Sequence, residues 1–486
     1  MRNPAKFCEV QWFQRLTAGR NAATIAPMNT LYYGDNLGVL RESIADESVD
    51  LIYLDPPFNS KRDYNLLFKS PKGQDSEAQI TAFEDSWHWG EQAEREFEEL
   101  LHQQNTDIAQ IMQALRSFLG ENDMMAYLTM MANRLLELHR VLKPTGSLYL
   151  HCDPTASHYL KVVLDGVFGK LCYLNELIWQ RTAPKGHAFT RFPSSHDVIF
   201  LYGKVHGDVT WNAQWIEHRQ EYVESHYSKV EEETGRHYML DNLLNPNKDR
   251  PNLTYEFPPG SGQVRVWRWT KERMMEAWKI GRVVVPDGGV PRFKRYLDEM
   301  QGTPVTSVWT DIPPINSQAQ ERLGYPTQKP LALLERIVAA SSNEGDVVLD
   351  PFCGCGTAVH AAQKLKRQWI GIDITHLAIS LIEKRLKDAF GPALEFEVHG
   401  TPKDLDSARD LANRDKYQFQ WWAVSLVDAQ PFQGKKKGAD TGIDGLKFFH
   451  DLEGDAKKIV VSVKGGAALK GSVRQDAHIG FKAVLS

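Results

Sequence analysis

VVLDPFCGCGTA, residues 347–358, is the stretch that decides the fold. Its first four residues read as a buried strand ending in Asp350. A tight loop follows with Gly354 and Gly356, and a helical stretch begins at Thr357. Glycines at these two places let backbone approach a ligand where a Cβ would intrude. The next apolar run, RQWIGID (367–373), ends in a second acid, Asp373. The spacing, about 20 residues, is the one at which nucleoside-binding sheets set a carboxylate on ribose hydroxyls.

Working outward, strands alternate with helical stretches, which implies an α/β sheet. NTLYYGDNL (29–37), VDLIYLD (49–55) and GSLYLHCD (146–153) read as strands. DMMAYLTMMANRLLELHRVLKPTG (123–146), KPLALLERIVAAS (329–341), GTAVHAAQKLK (356–366) and THLAISLIEKRLKDAF (375–390) have helical spacing. Residues 60–122 are polar and read as a long loop carrying the aromatic knot FEDSWHW (83–89), a lid or a packing knot. The glycine loop lacks the third glycine of the dinucleotide fingerprint, since Val359 and His360 follow Thr357 and Ala358. It therefore favours a cofactor without a pyrophosphate, and S-adenosylmethionine fits.

A length of 486 residues implies two or three domains. The five cysteines, Cys8, Cys152, Cys172, Cys353 and Cys355, are odd in number and scattered, which argues against a disulfide framework and fits a reducing cytoplasm. No zinc spacing surrounds Cys353 and Cys355, so no metal is expected there. No run approaches the roughly 18 to 20 apolar residues of a membrane span, and the N-terminus lacks a secretory h-region. With a net charge of −5, a nucleic-acid partner has to be held by a local basic face.

LIYLDPPFNS (51–60) raises the chemical question, because an apolar strand stops at Asp55, Pro56, Pro57 and Phe58. Proline has no N–H, so the Pro56-Pro57 turn presents carbonyl acceptors without competing donors. With the Asp55 carboxylate alongside, two acceptors can hold both hydrogens of an exocyclic amine. They would stabilise the charge that develops as that nitrogen attacks a methyl group. Phe58 offers a flat face on which a base can stack, and a base reaches such a pocket only by leaving the duplex.

Together, DPPF and FCGCGT resemble the amino-methyltransferases of DNA. The order, with the amine motif first and the cofactor loop last, resembles the β class of adenine-N6 and cytosine-N4 enzymes. The resemblance spans roughly residues 28–395 and rests on four ordered motifs, GDNLGVL (34–40) and YPTQKP (325–330) being the other two. It implies an α/β, Rossmann-like S-adenosylmethionine-dependent methyltransferase sheet, circularly permuted, with an inserted target-recognition region and a small C-terminal α/β appendage. By resemblance, Asp350, Phe352, Gly354, Gly356, Thr357 and Asp373 line the cofactor site. Asp35 and Asn36 flank it, and Thr327 with Lys329 meets the methionine end. Asp at the head of the tetrapeptide points to the N6 amine of adenine in double-stranded DNA, with cytosine-N4 as the alternative. Relatives of this class are often dimers, so a homodimer is also expected.

Residues 181–305 interleave Arg, Lys, Trp and Tyr and match the expected target-recognition region. Lys185, Arg191, Arg292, Lys294 and Arg295 are its candidate DNA contacts, against the bland alternative of a solvated charged face. The remaining boundaries are an extension over 1–27, a catalytic half over 28–180, a cofactor half over 306–395 and a C-terminal segment over 396–486. That last segment resembles the core of Mg²⁺ nucleases at Asp444 and Lys464, but Ser462 stands where a second acid belongs. A remnant or accessory is the preferred reading; a bifunctional restriction-modification protein is the alternative.

Overall fold

The computed structural model describes residues 29–57, 63–69, 75–84, 88–182, 192–286, 289–316, 318–325, 327–427, 429–432, 443–450, 456–463 and 484–485. Phe58, Lys185, Arg191, Lys464, Cys8 and the extension over 1–27 lie outside the described residues.

Among the described residues, nine strands form one sheet. In chain order they are β1 (Thr30–Tyr33), β2 (Val49–Leu54), β3 (Leu142–Cys152), β4 (Tyr173–Gln180), β5 (His196–Gly203), β6 (Val308–Trp309), β7 (Val347–Asp350), β8 (Gln368–Asp373) and β9 (Glu397–His399). Their spatial order is β6-β4-β5-β3-β2-β7-β8-β1-β9. Neighbours are parallel except at β5, which runs antiparallel to both β3 and β4. All four residues of β7 are buried, as a parallel strand covered on both faces requires.

The permutation is visible in this order. The inner strand β7 comes late in the chain, yet its neighbour β2, at the centre of the sheet, comes from near the start. Connections leave the β2–β7 boundary in opposite directions, so a crevice opens at the carboxyl ends of these strands. The long helix α2 (Asp123–Val141) lies on this half, burying Tyr127, Leu128 and Leu135 with Ile52, Leu54 and Leu150 of the sheet.

The structure corrects three boundaries. Residues 60–122 are not one loop, for Glu91–Leu101 and Thr106–Leu119 are helices. Phe97, Leu100, Ile108 and Met112 bury one face of each, a periodicity that the surrounding Glu and Gln residues masked in the sequence. Second, β5 falls inside the 181–305 segment but belongs to the main sheet. Its run Val198–Tyr202 is buried throughout, because the strand is inserted between β3 and β4. Third, β9 lies beyond residue 395 and pairs with β1, so the segment that begins at 396 completes the sheet before leaving it.

The chain divides into two compact units, residues 1–212 with 307–486, and Ala213–Thr306. The second unit holds an antiparallel sheet of Val283–Val284, Arg292–Tyr296, His237–Asn242 and Lys229–Val230. Leu243, Phe257, Trp267, Met274 and Val283 form its core. The tryptophans here divide: Trp267 is wholly buried, with its indole N–H donated to the Tyr255 carbonyl at 2.9 Å, whereas Trp211, just outside the unit, is exposed.

The C-terminal residues are less separate than the sequence implied. Helix α6 (Lys416–Ser425) places Trp421 in a buried cluster with Tyr325, Cys355 and Leu377. An antiparallel sheet of Gln430–Pro431, Gly445–His450, Ala456–Val461 and Val484–Leu485 follows. Asp444 sits just before its second strand, where its carboxylate accepts the Val463 N–H at 2.5 Å. Among the described residues, no group of three or more His, Cys, Asp or Glu could hold a metal ion.

Candidate functional site

Four adjacent parallel strands, β2, β7, β8 and β1, each deliver an acid at or just past their carboxyl ends. Asp350 closes β7 and Asp373 closes β8. Asp55 follows β2, and Asp35 follows β1 after Gly34. A sheet repeats its strand ends about every 4.8 Å. The four carboxylates are thereby gathered into one cleft of about 320 Å³. Its walls also carry Pro56, Pro57, Phe352, Thr327, Lys329 and Arg134. That volume lies within the roughly 300–1,000 Å³ range of small-molecule sites.

The glycine loop explains itself locally. Gly354 and Gly356 adopt φ of +51° and +72°, where an L side chain is strained. A Cβ on Gly356 would fall 2.8 Å from Ile382 Cγ1. Gly356 then caps α4 (Thr357–Lys364), which packs on α3 (Leu331–Ser341) and whose first residues face the cleft. The Gly354 N–H donates to Asp373 Oδ2 at 2.9 Å, tying the loop to the end of β8. Arg385 of α5 (His376–Phe390), itself buried, donates to the Cys355 carbonyl and to Thr357 Oγ1, each at 3.0 Å. Cys353 and Cys355 are buried free thiols serving as small loop residues, with burial pushing both thiols up.

The acids differ in their surroundings. Burial pushes the Asp350 carboxyl up to about 8; the Phe352 N–H opposes this, and the like charges of Asp55 and Asp373 add to it. Burial pushes Asp373 up to about 6, held back by donors from Thr375 and Gly354. Asp35 is exposed and caps helix α1 (Asn36–Ser43), accepting the Gly38 N–H at 3.3 Å. Asn36 turns inward and donates to the Pro351 carbonyl at 2.9 Å.

Lys329 makes the contact that the sequence did not anticipate. By resemblance it meets the methionine end of a cofactor; in the structure its ammonium pairs with Asp55 Oδ2. Both side chains are mostly shielded, 11% and 15% exposed. A hydrogen-bond network runs behind Asp55: the Tyr53 hydroxyl meets His151 Nδ1 at 2.9 Å, and His151 Nε2 meets Asp197 at 3.2 Å. It crosses three neighbouring strands and fixes the floor of the cleft.

The structure thus brings together Asp35, Asn36, Asp55, Pro56, Pro57, Thr327, Lys329, Asp350, Phe352, Gly354, Thr357 and Asp373 in one cleft. Gly356 shapes it from behind. Sequence reasoning missed Arg134, which donates to Asn36 Oδ1 at 2.6 Å and Asp35 Oδ1 at 2.8 Å, with Nη1 on the Met130 carbonyl at 3.1 Å. The available signal was a single charged residue, Arg134, in the largely apolar stretch Tyr127–Leu135. Of the candidate DNA contacts described, Lys294 pairs with Glu231 at 2.8 Å and Arg295 with Asp241, both inside the second unit. Lys294 and the Tyr296 and Thr234 hydroxyls hold the Glu231 carboxyl down at about 2. Arg292 is half-buried on the same strand.

Comparison with known proteins agrees with this geometry. Residues 49–384 match the DNA methylase family of N6 and N4 enzymes. Type II methyltransferase M.EcaI of Enterobacter cloacae is 28% identical over 60% of this chain and 65% of its own length. The Mod subunit of the type III restriction-modification enzyme StyLTI of Salmonella typhimurium is 25% identical over 70% of this chain and 50% of its own. DNA adenine methyltransferase YhdJ of Escherichia coli is 24% identical over 74% of this chain and 82% of its own. The chain therefore spans about half to two thirds of the length of the first two relatives.

Proposed function

We propose that this chain, which belongs to the DNA methylase family, transfers a methyl group from S-adenosylmethionine to the N6 amine of adenine in a specific sequence of double-stranded DNA. One observation carries the reading: Asp55 and the Pro56-Pro57 turn open into the same cleft as the glycine loop and its two strand-end acids.

The donor set of that cleft suits the cofactor. Asp373 would accept from the ribose hydroxyls, Gly354 and Gly356 would allow close backbone approach, and Thr327 with Lys329 would offer a hydroxyl and a cation to the amino-acid tail. When bound, S-adenosylmethionine supplies a methyl group made electrophilic by its sulfonium sulfur. The residues of the chain do the positioning. The Asp55 carboxylate and a proline carbonyl accept the two amine hydrogens, which orients the nitrogen lone pair and stabilises positive charge as it forms. Phe58 is the stacking surface for a base swung out of the duplex. Among the described residues no helix is long and apolar enough to cross a membrane.

Asp at the head of the tetrapeptide favours adenine. DNA would be held by Lys185, Arg191, Arg292, Lys294 and Arg295. Lys294 and Arg295 would have to leave Glu231 and Asp241 to do so, which makes Arg292 the first of the described three to test. A homodimer working in the cytoplasm completes the reading, and sedimentation velocity tests the dimer. The base is tested by incubating the protein with methyl-labelled S-adenosylmethionine and mixed genomic DNA, then separating nucleosides. Label in N6-methyladenine supports the reading. Label in N4-methylcytosine replaces the base, and unlabelled DNA refutes methyl transfer.

A further inference from the structure

Four acids, Asp35, Asp55, Asp350 and Asp373, line the cleft, yet a cofactor with an amino-acid tail brings a further carboxylate into it. That carboxylate needs a cation. Among the described residues, the cationic side chains that line the cleft are Lys329 and Arg134. Arg134 is committed: Nε to Asn36, Nη2 to Asp35, and Nη1 to the Met130 carbonyl with Glu96 at 3.8 Å. Withdrawing it would leave the buried Asn36 Oδ1 without its donor. Lys329 has a long flexible stem and pairs with a carboxylate, Asp55, that has its own task.

We propose that Asp55 and the carboxylate of the bound cofactor compete for the Lys329 ammonium, so that cofactor binding releases Asp55 to receive the target amine. The inference rests on the methyltransferase reading and deepens it. In the structure Lys329 occupies Oδ2 of Asp55, and while that pair lasts an amine could reach only the other oxygen. An entering carboxylate draws the ammonium toward itself, and Asp55 then offers both oxygens beside the Pro56 and Pro57 carbonyls. No covalent bond is made or broken; the Lys329 ammonium exchanges one carboxylate partner for another. The consequence is an order of events, cofactor before productive base. Lys329 is in this sense a positioning residue for Asp55.

The test is a double-mutant cycle on binding, read by isothermal titration calorimetry on the full chain without DNA. The probes are S-adenosylhomocysteine, which carries the carboxylate, and 5′-methylthioadenosine, which has no amino-acid tail. Removing the competitor in Asp55→Asn is expected to tighten S-adenosylhomocysteine on the order of tenfold and leave 5′-methylthioadenosine unchanged. Lys329→Met weakens S-adenosylhomocysteine, and in that background Asp55→Asn has no further effect. A general loss of negative charge would instead tighten binding equally with and without Lys329, and that outcome overturns the competition. So does unchanged or weaker binding in Asp55→Asn when Lys329 is present. If the wild-type chain binds neither probe, the methyltransferase reading falls and the competition with it. Binding of both probes without the differential brings down the competition alone. Lys329→Gln, closer in polarity, gives the same comparison should Lys329→Met fold poorly.

Discussion

Asp350→Asn is the perturbation that tests the electrostatics of the cleft most sharply. The Asp350 side chain is fully buried at the end of β7 and its carboxyl is pushed from an ordinary 3.8 up to about 8. Between those values the folded chain keeps a proton that the unfolded chain has lost. Stability that is fully present below about pH 3.8 is therefore lost progressively as pH rises toward 8. Each unit costs about 1.4 kcal/mol. Asp373, pushed up to about 6, acts in the same direction over a shorter window. Asparagine has nearly the same shape, keeps an oxygen for the Phe352 N–H that Asp350 accepts at 3.0 Å, and does not titrate. From pH 5 to pH 7 the stability of Asp350→Asn relative to wild type should rise by about 3 kcal/mol. Urea unfolding at pH 5, 6, 7 and 8 measures this directly, since other titrating groups are common to both proteins. Parallel pH profiles for the two proteins would refute the buried, proton-retaining state of Asp350.

Three further outcomes follow from the packing. Gly356→Ala meets both a left-handed φ and Ile382 at 2.8 Å, whereas Gly391→Ala has the φ of +90° but open space around it. The first should cost about 1–3 kcal/mol more than the second in denaturant unfolding, and equal costs would contradict the close approach. Trp421→Ala should destabilise by about 3–5 kcal/mol and weaken S-adenosylhomocysteine binding, because Trp421 backs Cys355 and Tyr325 behind the glycine loop. Binding of a cationic sulfonium cofactor beside proton-retaining Asp350 should release protons at pH 7, seen as a buffer-dependent calorimetric enthalpy.

Much of the fold could be read from periodicity, and the reasons are local. VVLD and WIGID are short apolar runs closed by an acid, and their strand character survives any context. The tetrapeptide from Asp55 was legible because two prolines stop a strand whatever packs around it. What escaped the reading depends on distant partners. HDVIFLYG has the apolar run of a buried strand, but its insertion between β3 and β4 is a tertiary fact. Helix Glu91–Leu101 buries only Phe97 and Leu100 against the core, so its acidic face dominated the sequence. The Lys329–Asp55 pair joins residues 274 positions apart, and no spacing rule could propose it. Arg134 and Trp421 likewise acquire their roles only when α2 and α6 have docked.

The most direct measurement of the central claim is label transfer to genomic DNA by wild type and by Asp55→Ala, with S-adenosylhomocysteine affinity measured on the same preparations. If Asp55 holds the reacting amine, transfer falls by about a hundredfold to a thousandfold, as for the loss of a charge-stabilising contact. The variant still binds S-adenosylhomocysteine at least as tightly as wild type. Undiminished transfer by Asp55→Ala would contradict the account, and so would loss of cofactor binding with transfer per bound cofactor unchanged.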